Sequence, residues 1–330
     1  MSHAAITFNQ QLQEKKAADW DILFCTDMLN LAEFIGLADK KIQSLPRVIY
    51  FHENQLTYPS QNSDHRDLRY AYINFTSALA ADEVWFNSNW HKEDFLQALE
   101  YWLMRMPDNR PRQAINTIEK KSRIHHPGID SDCFESNRKK TGECLTILWA
   151  ARWEHDKNPE CFFNALTRLK QNNINFKLNV IGSTSKKIPD IFITAEKDFI
   201  DQINIWGYAD SRQDYIKALQ VSDVIVSTAN HEFFGIAVME AVATGCIPVL
   251  PDRLAYPETM ADFKYSDFDF FYDGSEQQLA DRLISLTEKI KHKNWLEAAQ
   301  STGRKIAEQY LWERRSQQMD IDLESVTRLP

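Results

Sequence analysis

The chain is 330 residues long, with 43% hydrophobic and 26% charged residues and a formal net charge of −9, enough length for two α/β domains with substantial cores. The acidic balance argues against binding nucleic acid over the whole surface, though not against a local basic patch. No apolar run approaches the roughly 20 residues that span a bilayer, and no signal-peptide pattern opens the chain.

Cys25, Cys133, Cys144, Cys161 and Cys246 are scattered without a C-x-x-C spacing, the usage of reduced thiols in a cytosolic enzyme rather than of a disulfide frame or zinc site. Residues 1–19 begin on a helical pattern, Ile6-Thr7-Phe8 followed by a Gln-rich polar face. Residues 21–26 read as a strand, 29–37 as a helix, and 47–51 as a strand ending in His52-Glu53-Asn54-Gln55. A helix at 67–81 and a further strand at 83–88 follow. Strands alternating with helices at this spacing predict a parallel, doubly wound sheet. Such a domain opens with a strand and a tight glycine turn, and residues 1–19 supply neither. The first domain is therefore expected to lack its first strand, leaving two neighbouring strands with open edges. An in-frame extension upstream of Met1 is expected to supply the piece.

His52-Glu53-Asn54-Gln55 follows a buried strand directly. The four residues are either a loop cap or ligating groups at the carboxyl edge of the sheet, and the second reading is preferred. Residues 101–127 are locally basic. Arg105, Arg110, Arg112, Lys120, Lys121 and Arg123 stand against Asp108 and Glu119, interleaved with Tyr101, Trp102 and Met104. Such a run is either a solvated face or a polyanion-binding surface, and Arg66 and Arg69 extend it.

His126-Pro127-Gly128-Ile129-Asp130 marks a domain junction, and residues 135–142 complete a linker. Domains are expected at 1–140 and 141–310, with a helix at 311–330 packing across the junction. The second domain opens with a strand at 145–150 and a loop that carries Arg152 and Lys157. Asn158 as N-cap and Pro159 at the first helical position mark a helix start. At the carboxyl edge of a sheet, two such cations suit the charge of a leaving diphosphate. Strands ending in Gly182 and in Gly207-Tyr208 follow. These are either tight turns alone or turns that pass a nucleotide base.

After a helix at 211–220, residues 221–227 form a buried strand, 236–244 a helix closed by Gly245, and 246–250 a returning strand. Between them lies His231-Glu232-Phe233-Phe234-Gly235. Exposed amides of Gly235 and Ile236 at the helix start suit an anion, and Gly235 has no Cβ to hold it off. Glu240 sits on a helix apolar nearly all round, where a bare carboxylate costs several kcal/mol. Its partner is a core arginine, water at a rim, or a ligand. Helices at 277–290 and 295–319 end the chain.

Two carboxylates eight apart, in E-F-F-G-I-A-V-M-E, resemble the E-x7-E signature of retaining glycosyltransferases of family 4, whose GT-B fold has two Rossmann-like doubly wound parallel-sheet domains and an active site in the cleft between them. That resemblance implies Glu240 holding the ribose of a nucleotide sugar and Glu232 near the transferred sugar. His52 matches the family's histidine close to that sugar, and Arg152 with Lys157 matches its R-x4-K phosphate pair. The implied donor set also includes Gly182, Gly207, Tyr208, Phe234, Gly235 and Ile236. The phrases Y-F-H-E-N-Q-L-T-Y-P, A-D-E-V-W-F-N-S, A-R-W-E-H-D-K-N-P-E and S-T-A-N-H-E-F-F-G are similar to those of the tRNA-queuosine α-mannosyltransferases, over essentially the whole chain. The implied reaction moves mannose from GDP-mannose to the cyclopentene-diol of queuosine in the anticodon of tRNA for aspartate. Glu53, Asn54, Gln55, Arg66, Arg69, Arg105, Arg110 and Arg112 are the expected acceptor-binding residues. No metal or other cofactor is expected, since cations take the role of a divalent ion. The family opens with a strand and a Gly-Gly-Ser-His-type loop, which this chain lacks. Open alternatives are another sugar nucleotide with a small acceptor, and a catalytically silent binding module.

Overall fold

The computed structural model describes residues 3–15, 19–59, 68–108, 110–135, 144–184, 188–264 and 266–328. Arg66 and most of the expected linker at 135–142 lie outside the described residues. The chain divides into two compact units, one made of Met1–His126 with Arg315–Pro330, the other of Pro127–Arg314. Among the described residues no helix is long and apolar enough to cross a membrane.

The first unit holds α1 (Ala4–Glu14), β1 (Leu23–Thr26), α2 (Leu31–Leu37), α3 (Lys40–Gln43), β2 (Arg47–Phe51), α4 (Leu68–Ala80), β3 (Glu83–Phe86), α5 (Asn89–Met104), α6 (Gln113–Lys120) and β4 (Ser122–Ile124). Its sheet runs β1-β2-β3-β4, parallel throughout. Successive side chains of a strand face opposite ways, and β2 uses both faces. Ile49 and Phe51 enter one cluster with Phe34, Phe75, Val84 and Phe86, whereas Val48 and Tyr50 meet Trp85 and Val326 on the other. Strands buried on both faces read as unbroken apolar runs, which is why 47–51 and 83–88 are legible as strands. The sheet is continuous, so the expected pair of exposed neighbouring strands is not what it shows. β1 is instead an edge strand, and a groove of about 950 Å³ lies along it, lined by Phe8, Leu12, Phe24 and Met28.

The second unit holds β5 (Leu145–Ala150), α7 (Pro159–Gln171), β6 (Phe176–Ile181), α8 (Asp190–Asp198), β7 (Ile203–Gly207), α9 (Arg212–Gln220), β8 (Val224–Val226), α10 (Ile236–Ala243), β9 (Ile247–Val249), α11 (Tyr256–Thr259), α12 (Ala261–Lys264), α13 (Glu276–Lys289) and α14 (Lys293–Glu308). Its five parallel strands are ordered β7-β6-β5-β8-β9. Trp149, Val180, Val224 and Val249 pack on one face with Phe162, Phe192 and Leu283, while Leu148, Ile181 and Ile225 pack on the other with Met239 and Ala241.

The helix expected over 295–319 is two helices, α14 and α15 (Trp312–Thr327). The break has a physical cause: Tyr310 C=O accepts from Ile129 N–H at 2.7 Å and Trp312 N–H donates to Ile129 C=O at 3.1 Å. Those two bonds hold the chain extended where a continuous helix would need both groups. α15 starts within the second unit, and from Arg315 onward it belongs to the first, where Met319, Leu323 and Val326 cover Val48, Tyr50 and Trp85.

Candidate active site

In the second sheet the chain enters at β5, steps outward to β6 and β7, then returns across β5 to β8 and β9. The order therefore reverses between β5 and β8, and a crevice opens at the carboxyl ends of strands where that happens. Two loops leave the sheet on either side of that point: Ala151 to Asn158 after β5, and Ser227 to Gly235 after β8.

Backbone and side-chain bonds sew these loops together. Thr228 Oγ1 donates to Lys157 C=O at 2.7 Å, and Asn230 N–H donates to Asp156 C=O at 2.8 Å. Asn158 has the left-handed φ of 49° and caps α7 through Cys161 N–H, with Pro159 next, as the sequence predicts. Lys157 is the hub. Its Nζ donates to His231 C=O at 2.8 Å and lies 3.4 Å from Glu232 Oε2 and 3.2 Å from Asp156 Oδ2. Burial acts to lower its pKa, but Glu232 and Asp156 outweigh burial and leave it raised, so the ammonium stays charged. Arg152 is half exposed, 3.6 Å from Glu154.

Glu232 does more than expected. Its Oε1 accepts from the N–H groups of Phe233, Phe234 and Gly235 at 3.1, 3.4 and 3.2 Å. The Gly235 amide, read from the sequence as open to an anion, is therefore occupied by this carboxylate. Together with Lys157 the three amides form an anion cradle at the start of α10. Gly235 is required for a second reason. Its φ is +90°, and a Cβ there would stand 2.9 Å from Tyr256 Cε1. The Phe234 side chain is 2% exposed and packs on Tyr310, which leaves its backbone amide, bonded to Glu232, as the group it presents at the candidate site. Ile236 is 46% exposed at the head of the helix.

Glu240 is buried on α10, and both its oxygens are held. Arg212 Nη1 donates to Oε1 at 2.6 Å, and Tyr215 Oη donates to Oε2 at 2.7 Å. The arginine partner that the sequence left open is thus present. Glu240 also lines a cavity of about 440 Å³ with Ala150, Gly182, Tyr208, Arg212 and Tyr215. Ala150, Ala151 and Ala237 continue from it to a smaller cavity of about 30 Å³ beside Lys157, Glu232 and Gly235. The two adjoining cavities thus carry Gly182, Tyr208 and Glu240 in one and Lys157 with Glu232 in the other. Gly182 is needed for close packing, because a Cβ would meet Ala151 C=O at 1.7 Å. Gly207 has φ +113° and opens the turn to Tyr208, which is 70% exposed.

In the first unit, His52 leaves β2 with a half-exposed ring. Its backbone N–H donates to the buried Asp27 Oδ1 at 3.1 Å, and its ring centroid lies 4.3 Å from that of Tyr50. Asn54 is a correction. It is fully buried, and its Oδ1 accepts from Leu56 N–H, Thr57 N–H and Thr57 Oγ1 while its Nδ2 donates to Asp94 at 3.1 Å. It shapes the loop as a cap does, rather than meeting a ligand. Glu53 is half-buried beside it. Gln55 lines a cavity of about 210 Å³ with Arg69, Tyr70 and Asn74.

The basic segment divides in two. Arg105, Arg110 and Arg112 are exposed around the end of α5, with Arg105 lying 5.4 Å over the Tyr101 ring and Arg112 on Met104. Lys121 instead caps α4 through Leu79 C=O at 2.8 Å, with its pKa lowered by burial. Arg123 is committed to Glu83 at 2.6 Å and Asp322 at 3.1 Å. Both are thus engaged within the protein. Sequence reasoning missed Asp156, Arg212 and Tyr215. The last two had a local signal in Ser211-Arg212-Gln213-Asp214, where Ser211 Oγ accepts from Asp214 N–H as a helix cap and so fixes where α9 begins.

Residues 1–129 match the family described as tRNA-queuosine alpha-mannosyltransferase N-terminal, and residues 133–302 match glycosyl transferases group 1. A tRNA-queuosine alpha-mannosyltransferase of Drosophila melanogaster is 34% identical over 264 residues, covering 77% of this chain and 69% of that protein. Among solved structures, HepE of Anabaena in complex with UDP and glucose superposes with a TM-score of 0.70 at 16% identity, covering 97% of this chain and 81% of that one. A sucrose-phosphate synthase of Thermosynechococcus elongatus gives 0.73 at 14% identity, covering 98% and 77%.

Proposed function

Because the chain belongs to the tRNA-queuosine alpha-mannosyltransferase family and is a glycosyltransferase of GT-B fold, we propose that it moves mannose from GDP-mannose to queuosine in the anticodon of tRNA for aspartate, with retention of configuration. The observation that carries this reading is the pair of adjoining cavities at the β5/β8 reversal, with a carboxylate at one and a lysine-and-amide cradle at the other. A nucleoside diphosphate has the matching order of groups: a ribose diol, then two phosphates. In this reading Glu240 accepts the ribose hydroxyls and Tyr208 covers the base. Lys157, Arg152 and the amides of residues 233–235 take up the charge that grows on the diphosphate as its bond to mannose breaks. Glu232 turns from the amides to the sugar when phosphate displaces it. His52 is assigned to the sugar as well. A tRNA acceptor places the reaction in the cytoplasm.

The test is a donor panel. With queuosine-containing tRNA, GDP-mannose should turn over, and UDP-glucose and UDP-N-acetylglucosamine should not; turnover confined to a uridine donor would refute the assignment. We also expect activity to survive EDTA, because cations and amides already neutralise the diphosphate. Loss on chelation with recovery on adding magnesium would count against that.

The exposed arginines serve the acceptor in this reading. Neutralising Arg105, Arg110 and Arg112 to Gln should weaken tRNA binding and flatten its log–log salt dependence by about 0.7–0.9 for each phosphate no longer neutralised. The same change at Lys121 should leave the slope alone, since its ammonium is spent on α4. An unchanged slope in the triple variant would leave the arginines as ordinary surface.

A further inference from the structure

Glu240 is held from two directions by groups that no sequence motif announces. Arg212 and Tyr215 stand on the first turn of α9, three positions apart, so both side chains project from one helix face toward α10. They bond different oxygens of the same carboxylate, at 2.6 and 2.7 Å. That leaves the carboxylate no rotation about its terminal bond, while each oxygen keeps a lone pair. Arg212 is itself fixed. Its Nε donates to Asp132 Oδ2 at 3.0 Å and its Nη2 to Asp132 Oδ1 at 2.9 Å, the parallel two-bond arrangement that sets a guanidinium plane. These bonds hold the Asp132 carboxyl below its usual range and Arg212 above its own. Asp132 lies in the short helical turn Ser131–Phe134, a few residues into the second unit.

We propose that Arg212 and Tyr215 are positioning residues that aim the Glu240 carboxylate at a vicinal diol, with Asp132 holding Arg212 in place. The proposal rests on the reading of Glu240 as the ribose ligand and deepens it. A carboxylate free to turn would accept one hydroxyl at a time, and clamping both oxygens presents two acceptor sites at fixed spacing. The guanidinium also places a counter-charge 2.6 Å from the buried carboxylate. Each clamp takes part in discrimination between ribose and its deoxy forms, because that contrast senses the diol alone.

The experiment compares binding of GDP and 2′,3′-dideoxy-GDP by calorimetry in the full chain and in Tyr215→Phe, Arg212→Lys and Arg212→Met. The unaltered protein should prefer GDP about tenfold or more, as expected when the analogue lacks two hydrogen-bonding hydroxyls. Tyr215→Phe should cut that preference several-fold, Arg212→Met should abolish it, and Arg212→Lys should fall between the two. If the unaltered chain binds both nucleotides equally, the ribose reading fails and the proposal with it. If it discriminates and the variants discriminate just as well, the ribose reading stands and the positioning role is overturned. Tyr215→Phe removes one hydroxyl only and keeps the aromatic ring, so it decides the matter even should the Arg212 variants fold poorly.

Discussion

Lys157→Ala is expected to lower kcat/KM about 10²–10³-fold, the loss typical of one donor removed from developing charge in a water-poor site. A lysine in a loop, judged by sequence alone, would be expected to leave the fold intact when truncated. The structure predicts otherwise. Asp156 is 3% exposed and lies 3.2 Å from the ammonium, and leaving a buried charge without its partner costs about 3–5 kcal/mol. The two effects separate in the double variant Asp156→Asn, Lys157→Ala. Neutralising the stranded carboxylate should restore most of the thermal stability and none of the turnover. A stable single variant with near-normal kcat/KM would remove Lys157 from the diphosphate.

The second large effect is on stability in acid. His125 is 1% exposed, stacked at 3.7 Å on Trp85, and neither ring nitrogen has a hydrogen-bond partner among the described residues. Burial pushes its pKa down from 6.5 to about 4; Asp322, 3.4 Å from Nε2, opposes this, while Arg315, Arg123 and His126 reinforce it. The folded pKa is below the unfolded one, so the proton prefers the unfolded chain. The contribution is whole above about pH 6.5 and is lost as pH falls toward 4, at about 1.4 kcal/mol per pH unit and about 3 kcal/mol in all. His125→Phe keeps a ring against Trp85 and cannot titrate. Urea unfolding at pH 7.0 and 4.5 should show the unaltered protein losing about 2–3 kcal/mol more than the variant between those values. Parallel losses in both would show that His125 is not held neutral by burial.

Legibility followed physics in both units. Strands buried on both faces, such as Leu145–Ala150 and Arg47–Phe51, carry their own signal because every position is apolar or nearly so. The Asn158-Pro159 helix start is plain for an equally local reason. α5 escapes notice although its buried positions His91, Phe95, Leu99 and Leu103 fall four apart, because Trp90, Tyr101 and Met104 on its exposed side blur the polar face. The residues that line the candidate crevice of the second unit are legible because strand ends and helix starts mark them. Their partners are not: Arg212 meets Glu240 across 28 positions and Lys157 meets Glu232 across 75, distances over which sequence spacing says nothing. The Asn54 side chain and the Phe234 ring cannot be told from ligand-facing groups by composition alone, since a polar or aromatic residue beside a motif looks the same whether it shapes the loop or meets a ligand. Only burial distinguishes the two.

The most direct measurement is of the acceptor after reaction. Purified tRNA for aspartate containing queuosine would be incubated with the chain and GDP-mannose, digested to nucleosides and analysed by mass spectrometry. The account predicts queuosine gaining one hexose on its cyclopentene diol, GDP released in equal amount, and no gain on tRNA that carries guanosine in its place. Hexose appearing on the queuosine-free tRNA, or GDP released with the queuosine unmodified, would contradict it.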